Sequence, residues 1–296
     1  MDNELILYDR LNIIRDVIRK YGENQFYISF SGGKDSTLLH HLVDEALPGN
    51  QIPRVYADTG IEYNDVKAFV KELQSQDERI QIIRPSVNIK RMLERDGYPF
   101  KSKEHSNIVR VFQNSGIGLA VNRYINGDYK NPCPQVLRYQ FTSENKIKIS
   151  DKCCLRMKKE PFKKWEKENG KTIAMTGMMS SEGGARESIH NCIITDKSGR
   201  LKKFHPMLKV SEAWEEWYIE SRNIRLCTLY YPPYNFKRTG CKGCPYALEL
   251  QNQLETMYTL LPAEYRQCEA IWKPVYDEYR RIGYRLKKRI QLKLDV

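Results

Sequence analysis

The sequence predicts an α/β fold: a doubly wound parallel sheet with a mostly helical C-terminal region. Two observations carry this. Short β-rich runs alternate with helical patterns through the first hundred residues, and a glycine-rich turn joins the first of those runs to a helix. Residues 5–19 place Leu11, Ile14, Val17 and Ile18 at helical spacing. Residues 25–30 form the first β-rich run, and residues 36–45 continue as a helix. A second strand is expected over 54–57, a helix over 65–74, and a third strand over 80–84, closed by Pro85. In open parallel sheets of this kind, ligands sit at the carboxyl ends of the strands.

Beyond residue 97 the chain is less regular. Residues 97–151 mix Tyr, Asn, Lys and Pro with short apolar pieces, and helices and loops are expected there. A charged helix follows over 160–169, a strand over 172–176, and a helix over 211–221 with a Trp214, Trp217 and Tyr218 stripe that reads as core. Residues 262–288 are expected to form one long amphipathic helix with a basic end.

Composition narrows the class. With 41% hydrophobic and 29% charged residues, the chain is globular rather than disordered. No apolar run approaches the roughly 18 residues that a membrane span requires. The acidic Met1-Asp2-Asn3-Glu4 start lacks an apolar signal region, so a cytoplasmic protein is expected, with no membrane partner. Lys plus Arg number 49 against 37 Asp plus Glu, a surplus of +12 that suits a polyanionic partner, nucleotide or nucleic acid. Eight cysteines in a reducing compartment read as buried thiols, metal ligands or redox groups rather than disulfides.

The most specific motif is Ser31-Gly32-Gly33-Lys34-Asp35-Ser36, between the first strand and its helix. Glycines allow a tight turn with amide N–H groups close to an anion. The helix N-terminus adds donors and a favourable dipole. Ser31 and Ser36 offer hydroxyls, and Lys34 a mobile positive charge. The motif is neither a Walker A loop nor a dinucleotide-binding fingerprint.

This segment resembles the PP-loop of the ATP pyrophosphatases (adenine nucleotide alpha hydrolase-like proteins). Val55-Tyr56-Ala57-Asp58-Thr59-Gly60-Ile61-Glu62 resembles the second-strand signature of the phosphoadenosine phosphosulfate (PAPS) reductase branch. The resemblance implies a Rossmann-like sheet that binds an adenine nucleotide. Ser31, Gly32, Gly33, Lys34, Asp35 and Ser36 would hold its phosphates, with Asp58 and Thr59 beside it. A later Gly177…Ala185-Arg186-Glu187-Ser188 segment is similar to one that faces the substrate in this family. It makes Gly177 and Arg186 nucleotide contacts, and Lys34, Asp35 and Arg186 the catalytic candidates. Lys101 and Lys103 are further candidate anion contacts. The expected organisation is a nucleotide-binding domain over 1–210, with an insertion at about 97–151. A helical region over 211–296 would follow, with a basic tail.

Cys153 and Cys154 are adjacent, and Cys241 and Cys244 form a C-x-x-C after an interval of 86 residues. Four thiolates from two groups can enclose a metal centre, and by spacing an iron–sulfur cluster, zinc and no metal all stay open. The pattern resembles the [4Fe–4S] site of sulfonucleotide reductases, in which a Cys-Cys pair meets a C-x-x-C. The remaining cysteines read as ordinary thiols, with Cys133, between two prolines, as a candidate reactive one.

Two activities follow from the resemblance. In one, the protein cleaves ATP between the α and β phosphates, with Mg2+, and passes AMP to an acceptor that sulfur then attacks. In the other, it reduces PAPS or adenosine phosphosulfate (APS) to sulfite with a thioredoxin-like reductant. Such reductases carry a degenerate loop and a C-terminal nucleophilic cysteine. Here the loop is intact, and no cysteine follows Cys268. A non-catalytic nucleotide or nucleic-acid module is the third alternative. The basic tail from Arg280 to Arg289 would suit a tRNA or DNA acceptor. A sulfur donor and a homodimer complete the expected partners.

Overall fold

A computed structural model describes residues 2–180 and 189–287. In chain order, the helices and strands are α1 (Asn3–Tyr21), β1 (Phe26–Phe30), α2 (Lys34–Ala46), β2 (Arg54–Ala57), α3 (Asn64–Gln76) and β3 (Ile80–Ile83). Next come α4 (Ile89–Asp96), α5 (Lys103–Ser115), α6 (Leu119–Asn126), α7 (Glu160–Asn169), β4 (Ile173–Met175), β5 (Ile193–Thr195) and β6 (Leu201–Phe204). The last are α8 (Glu212–Ser221), α9 (Leu250–Leu260), α10 (Pro262–Ile271) and α11 (Lys273–Ile282).

The chain divides into two compact units. The first takes Met1–Asp58, Glu62–Pro85 and Glu160–Gly240, and the second Thr59–Ile61, Ser86–Lys159 and Cys241–Val296. The chain thus enters each unit more than once, and these bounds differ from the division at residue 210 expected from the sequence.

The first unit carries one sheet in the order β3-β2-β1-β4-β6-β5, parallel except for the β5–β6 pair. It is the doubly wound α/β sheet the sequence predicts. The central strands β1, β2 and β4 are buried almost throughout, as strands covered on both faces must be. Tyr27, Val55, Trp165 and Ala174 form one core cluster, with Ile83 and Phe162 against it. Tyr27 Oη donates to Glu166 at 2.7 Å, and Trp165 Nε1 to Gln81 at 2.9 Å, so the polar tips of this core are satisfied. In α2, Leu38, Leu39 and Leu42 are fully buried, each stabilising the fold by about 2 kcal/mol.

The strand order places the site. From β1 the chain winds one way through β2 and β3. It returns on the other side of β1 with β4, where Phe26 pairs with Ile173 and Ile28 with Met175. The order reverses between β1 and β4, and a crevice opens at such a switch point, beyond the carboxyl ends of the strands.

In the second unit, α5 and α6 with a 3-10 segment (Gln135–Phe141) occupy the region expected as helices and loops. The long helix expected over 262–288 is two helices. Pro274 lacks the N–H that a continuous helix needs and crowds the preceding turn, so α10 ends before Trp272 and a new helix starts at Lys273. Gly283, at φ 67°, then closes α11. The β5–β6 hairpin was not expected. Its turn is organised by Asp196, which accepts from the Ser198 and Arg200 amides at 2.9 and 3.1 Å. No helix among the described residues is long and apolar enough to cross a membrane.

Candidate functional site

The phosphate loop leaves β1 at the switch point. Gly32 has φ 70°, which favours glycine, and a Cβ there would lie 2.6 Å from Val70 Cγ2 on α3. Gly33 is the N-cap of α2 and offers no side chain to the helix start. Hydroxyls brace the turn instead. Ser31 N donates to Ser36 Oγ at 3.1 Å, and the two serine hydroxyls are 3.0 Å apart. Ser36 Oγ and Thr37 Oγ1 both donate to Gly33 O at 3.0 Å. Lys34 N donates to Tyr230 Oη at 2.9 Å, and that hydroxyl lies 2.8 Å from Thr239 Oγ1. Burial pushes the Tyr230 phenol up to about 12, so it stays a neutral hydroxyl.

Gly177 follows β4 and meets the loop. A Cβ there would collide with Asp35 O, so only glycine lets the β4 end pass the first turn of α2. Arg186 and the segment around it lie outside the described residues.

Lys34 does not project freely. Its Nζ is 2.6 Å from Glu215 Oε2, on a fully buried glutamate of α8. Burial works against the lysine charge, but the Glu215 contact outweighs it and raises the ammonium pKa. Burial pushes the Glu215 carboxyl up to about 7, opposed by Lys34 and reinforced by the nearby Asp35 charge. Lys34, Asp35 and Glu215 are therefore one linked charge cluster at the helix start.

Asp58 sits where β2 ends. Its backbone N donates to Ile83 O at 2.9 Å, and its carboxylate is 3.0 Å from Lys67 Nζ and 3.5 Å from Arg84 Nε. Thr59 is buried and belongs to the second unit, as do Lys101 and Lys103. Lys101 is half-buried, with its Nζ on Tyr124 Oη at 3.2 Å, and Lys103 is exposed in the first turn of α5.

The four expected cysteines are gathered in the second unit. Burial pushes the Cys153 thiol well up, and the charges of Cys154, Cys241 and Cys244 add to the rise. Cys244 is pushed up to about 12, first by burial and then by Cys241. Cys153 and Cys244, whose ionisation the neighbouring cysteines oppose, offer the donor chemistry of a thiolate-bound centre, in which a metal charge would stabilise the thiolates. Among the described residues, no group of three or more His, Cys, Asp or Glu is arranged around a single metal ion.

The C-x-x-C turn is held by side chains from the last two helices. Trp272 Nε1 donates to Lys242 O at 3.2 Å, Tyr276 Oη to Gly243 O, and Tyr279 Oη to Pro245 O at 3.0 Å. Arg285 Nη1 donates to Pro245 O and Ala247 O, both at 2.9 Å. Gly243 has φ 58°, and a Cβ there would collide with Tyr276 Oη. The first basic residues of the tail are thus engaged internally: Arg280 pairs with Glu269, Arg281 with Glu278 at 2.7 Å, and Arg285 serves the turn. Residues 288–296 lie outside the described residues. Cys133 is buried, and burial pushes its thiol up to about 11, which corrects the expectation of a reactive cysteine.

Comparison with known proteins settles the family. The family described as the phosphoadenosine phosphosulfate reductase domain matches residues 25–124 and 125–247, well over half of the chain. The chain belongs to this family. The PAPS reductase domain match takes in both the phosphate loop and all four clustered cysteines. An uncharacterized protein of Methanocaldococcus jannaschii is 31% identical over 99 residues, 31% of this chain and 24% of that protein. The match thus spans about a quarter of that relative. Among solved structures, PAPS reductase from Candida auris, in a phosphate complex, is similar at TM-score 0.46 and 15% identity, over 81% of this chain and 96% of that one. An NH3-dependent NAD synthetase from Campylobacter jejuni is similar at TM-score 0.42 and 14% identity, over 96% of both chains.

Glu215, Tyr230 and Thr239 were not singled out from the sequence as site residues. Glu215 had one signal: it lies three residues from Tyr218, on the buried side of α8.

Proposed function

We propose that this PAPS reductase-family protein binds ATP at Ser31–Ser36 and transfers AMP to an acceptor, releasing pyrophosphate, as a step in sulfur transfer. The observation that carries this is the intact loop: glycine where φ is positive, hydroxyls bracing the turn, and a lysine at the helix start. Amide N–H groups of the α2 N-terminus would take the β and γ phosphates, with Mg2+ sharing their charge. Glu215 holds Lys34 in place until an anionic ligand competes for it. Asp35 and Arg186 are the further catalytic candidates, with Asp58 and Gly177 lining the nucleotide.

Cys153, Cys154, Cys241 and Cys244 would hold a [4Fe–4S] cluster. When bound, it supplies either electron storage or a rigid anionic brace. Sulfonucleotide reduction is the second reading, favoured by the family description. Against it, Cys268 is fully buried, so its thiol is not presented to a substrate.

The test uses purified protein with ATP, Mg2+ and fractionated cell extract. AMP, pyrophosphate and an AMP-linked or sulfur-modified product are expected, all lost in Asp35→Ala. Sulfite formed from PAPS or APS with thioredoxin would replace this reading with reduction. Tight ATP binding with no turnover in any fraction would make the protein a binding module. An anaerobic spectrum with iron and sulfide assay tests the cluster, and a colourless zinc protein would remove it.

A further inference from the structure

The second unit contains a groove of about 460 Å³ lined by six cations: Arg95, Arg110, Lys146, Lys148, Lys152 and Arg156. Carboxylates answer the three arginines. Asp96 pairs with Arg95 at 2.8 Å and Arg156 at 3.1 Å, and Asp151 with Arg110 at 2.7 Å. Among the described residues, no carboxylate pairs with Lys146, Lys148 or Lys152; Lys146 Nζ donates to Ser143 O at 2.9 Å and Lys148 Nζ to Arg95 O at 2.5 Å. Like charges gathered this closely repel one another, and a polyanion would relieve that repulsion.

The cations are set in a built wall. Lys146-Ile147-Lys148-Ile149 alternates, and Ile149 is fully buried, so Lys146 and Lys148 share the exposed side. Gln113 clamps this segment from α5. Its Nε2 donates to Ile147 O at 2.8 Å, and its Oε1 accepts from Ile149 N at 3.0 Å. Tyr98 bridges to Ile149 on the other side. Lys152 and Arg156, which bracket Cys153 and Cys154 in the chain, complete the lining.

We infer that this groove binds the sugar–phosphate backbone of a nucleic-acid strand. The lining holds no aromatic ring, so it offers no platform for a base. Cations with the amides of Gln113, Asn114 and Asn145 suit phosphate and sugar contacts, which position a strand without reading its sequence. This inference does not depend on the nucleotide reading of the first unit. It moves the nucleic-acid contact from the C-terminal tail, whose first arginines are engaged internally, to residues 95–156.

The test measures binding of a fluorescein-labelled 15-nucleotide oligo-uridine by anisotropy against salt. The triple variant Lys146→Ala, Lys148→Ala, Lys152→Ala should bind about tenfold or more weakly. Its slope of log K against log salt should fall by about 2, three phosphate contacts at roughly 0.7 each. A control removes the same charge from α7, with exposed Lys163, Lys164 and Lys167 changed to Ala, and should change affinity less than about twofold. In the unaltered protein, the oligonucleotide should protect Lys146 and Lys148 from acetylation. Equal losses in both variants, no loss in the groove variant, or no protection would overturn the inference. So would complete displacement of the oligonucleotide by millimolar ATP or inorganic phosphate, which would make the groove a small-anion site. ATP binding by the groove variant should be unchanged, which separates this outcome from any failure of the phosphate loop.

Discussion

The phosphate loop and the cysteine cluster solve opposite problems. The turn of the loop is braced by contacts close in sequence: Ser31 with Ser36, and Ser36 and Thr37 with Gly33. Its cationic and acidic groups are paired, Lys34 with Glu215 at 2.6 Å. The cluster is assembled from segments far apart, residues 153–154 and 241–244, and its turn is held by residues 272–285. The Cys153 and Cys244 thiols are kept neutral by burial and by the neighbouring cysteines. One site is organised in advance for an anion. Under the proposed function, the other would be completed by the charge of a bound cluster.

Paired glycine substitutions should break the two apart. Gly32→Ala places a side chain at φ 70° against Val70 and should cost about 3 kcal/mol in denaturant unfolding, with ATP binding lost. Gly243→Ala forces a shift of Tyr276 and should remove bound metal while leaving ATP binding in place. Loss of both functions from either change would contradict the separation.

Glu215 gives a titration. Its folded pKa, about 7, lies above the ordinary carboxylate range, so the folded state binds the extra proton. Stability should therefore be greatest below about pH 4.5 with respect to this group, and fall as pH rises through 7. Glu215→Gln should abolish that slope in urea unfolding measured from pH 5 to 8. It should also free Lys34 from its ion pair. The smallest effect is expected from Tyr230→Phe. It removes the acceptor for Lys34 N and should cost about 1 kcal/mol, with a few-fold weaker ATP binding in a titration.

What the sequence made legible follows the same contrast. The β2 and α7 bounds match the expected 54–57 and 160–169, because a strand flanked by turns and a charged amphipathic helix are local signals. The loop was legible because its glycines and hydroxyls are contiguous. Glu215, Tyr230 and Thr239 were not, since their roles arise only when residues up to 196 positions apart meet. The β5–β6 hairpin escaped because its strands are three and four residues long and β5 is an exposed edge, although Asp196-Lys197-Ser198-Gly199 is a turn signal. Pro274 was the overlooked mark of the break between α10 and α11.

A competition titration tests the central claim most directly. Labelled ATP is bound to the protein with Mg2+, then displaced by inorganic pyrophosphate or by adenosine 3′,5′-bisphosphate. A loop built to grip the leaving pyrophosphate predicts displacement by pyrophosphate at lower concentration than by the bisphosphate, and no retained labelled ATP in Gly32→Ala. Displacement by the bisphosphate alone, with pyrophosphate inert, would contradict it.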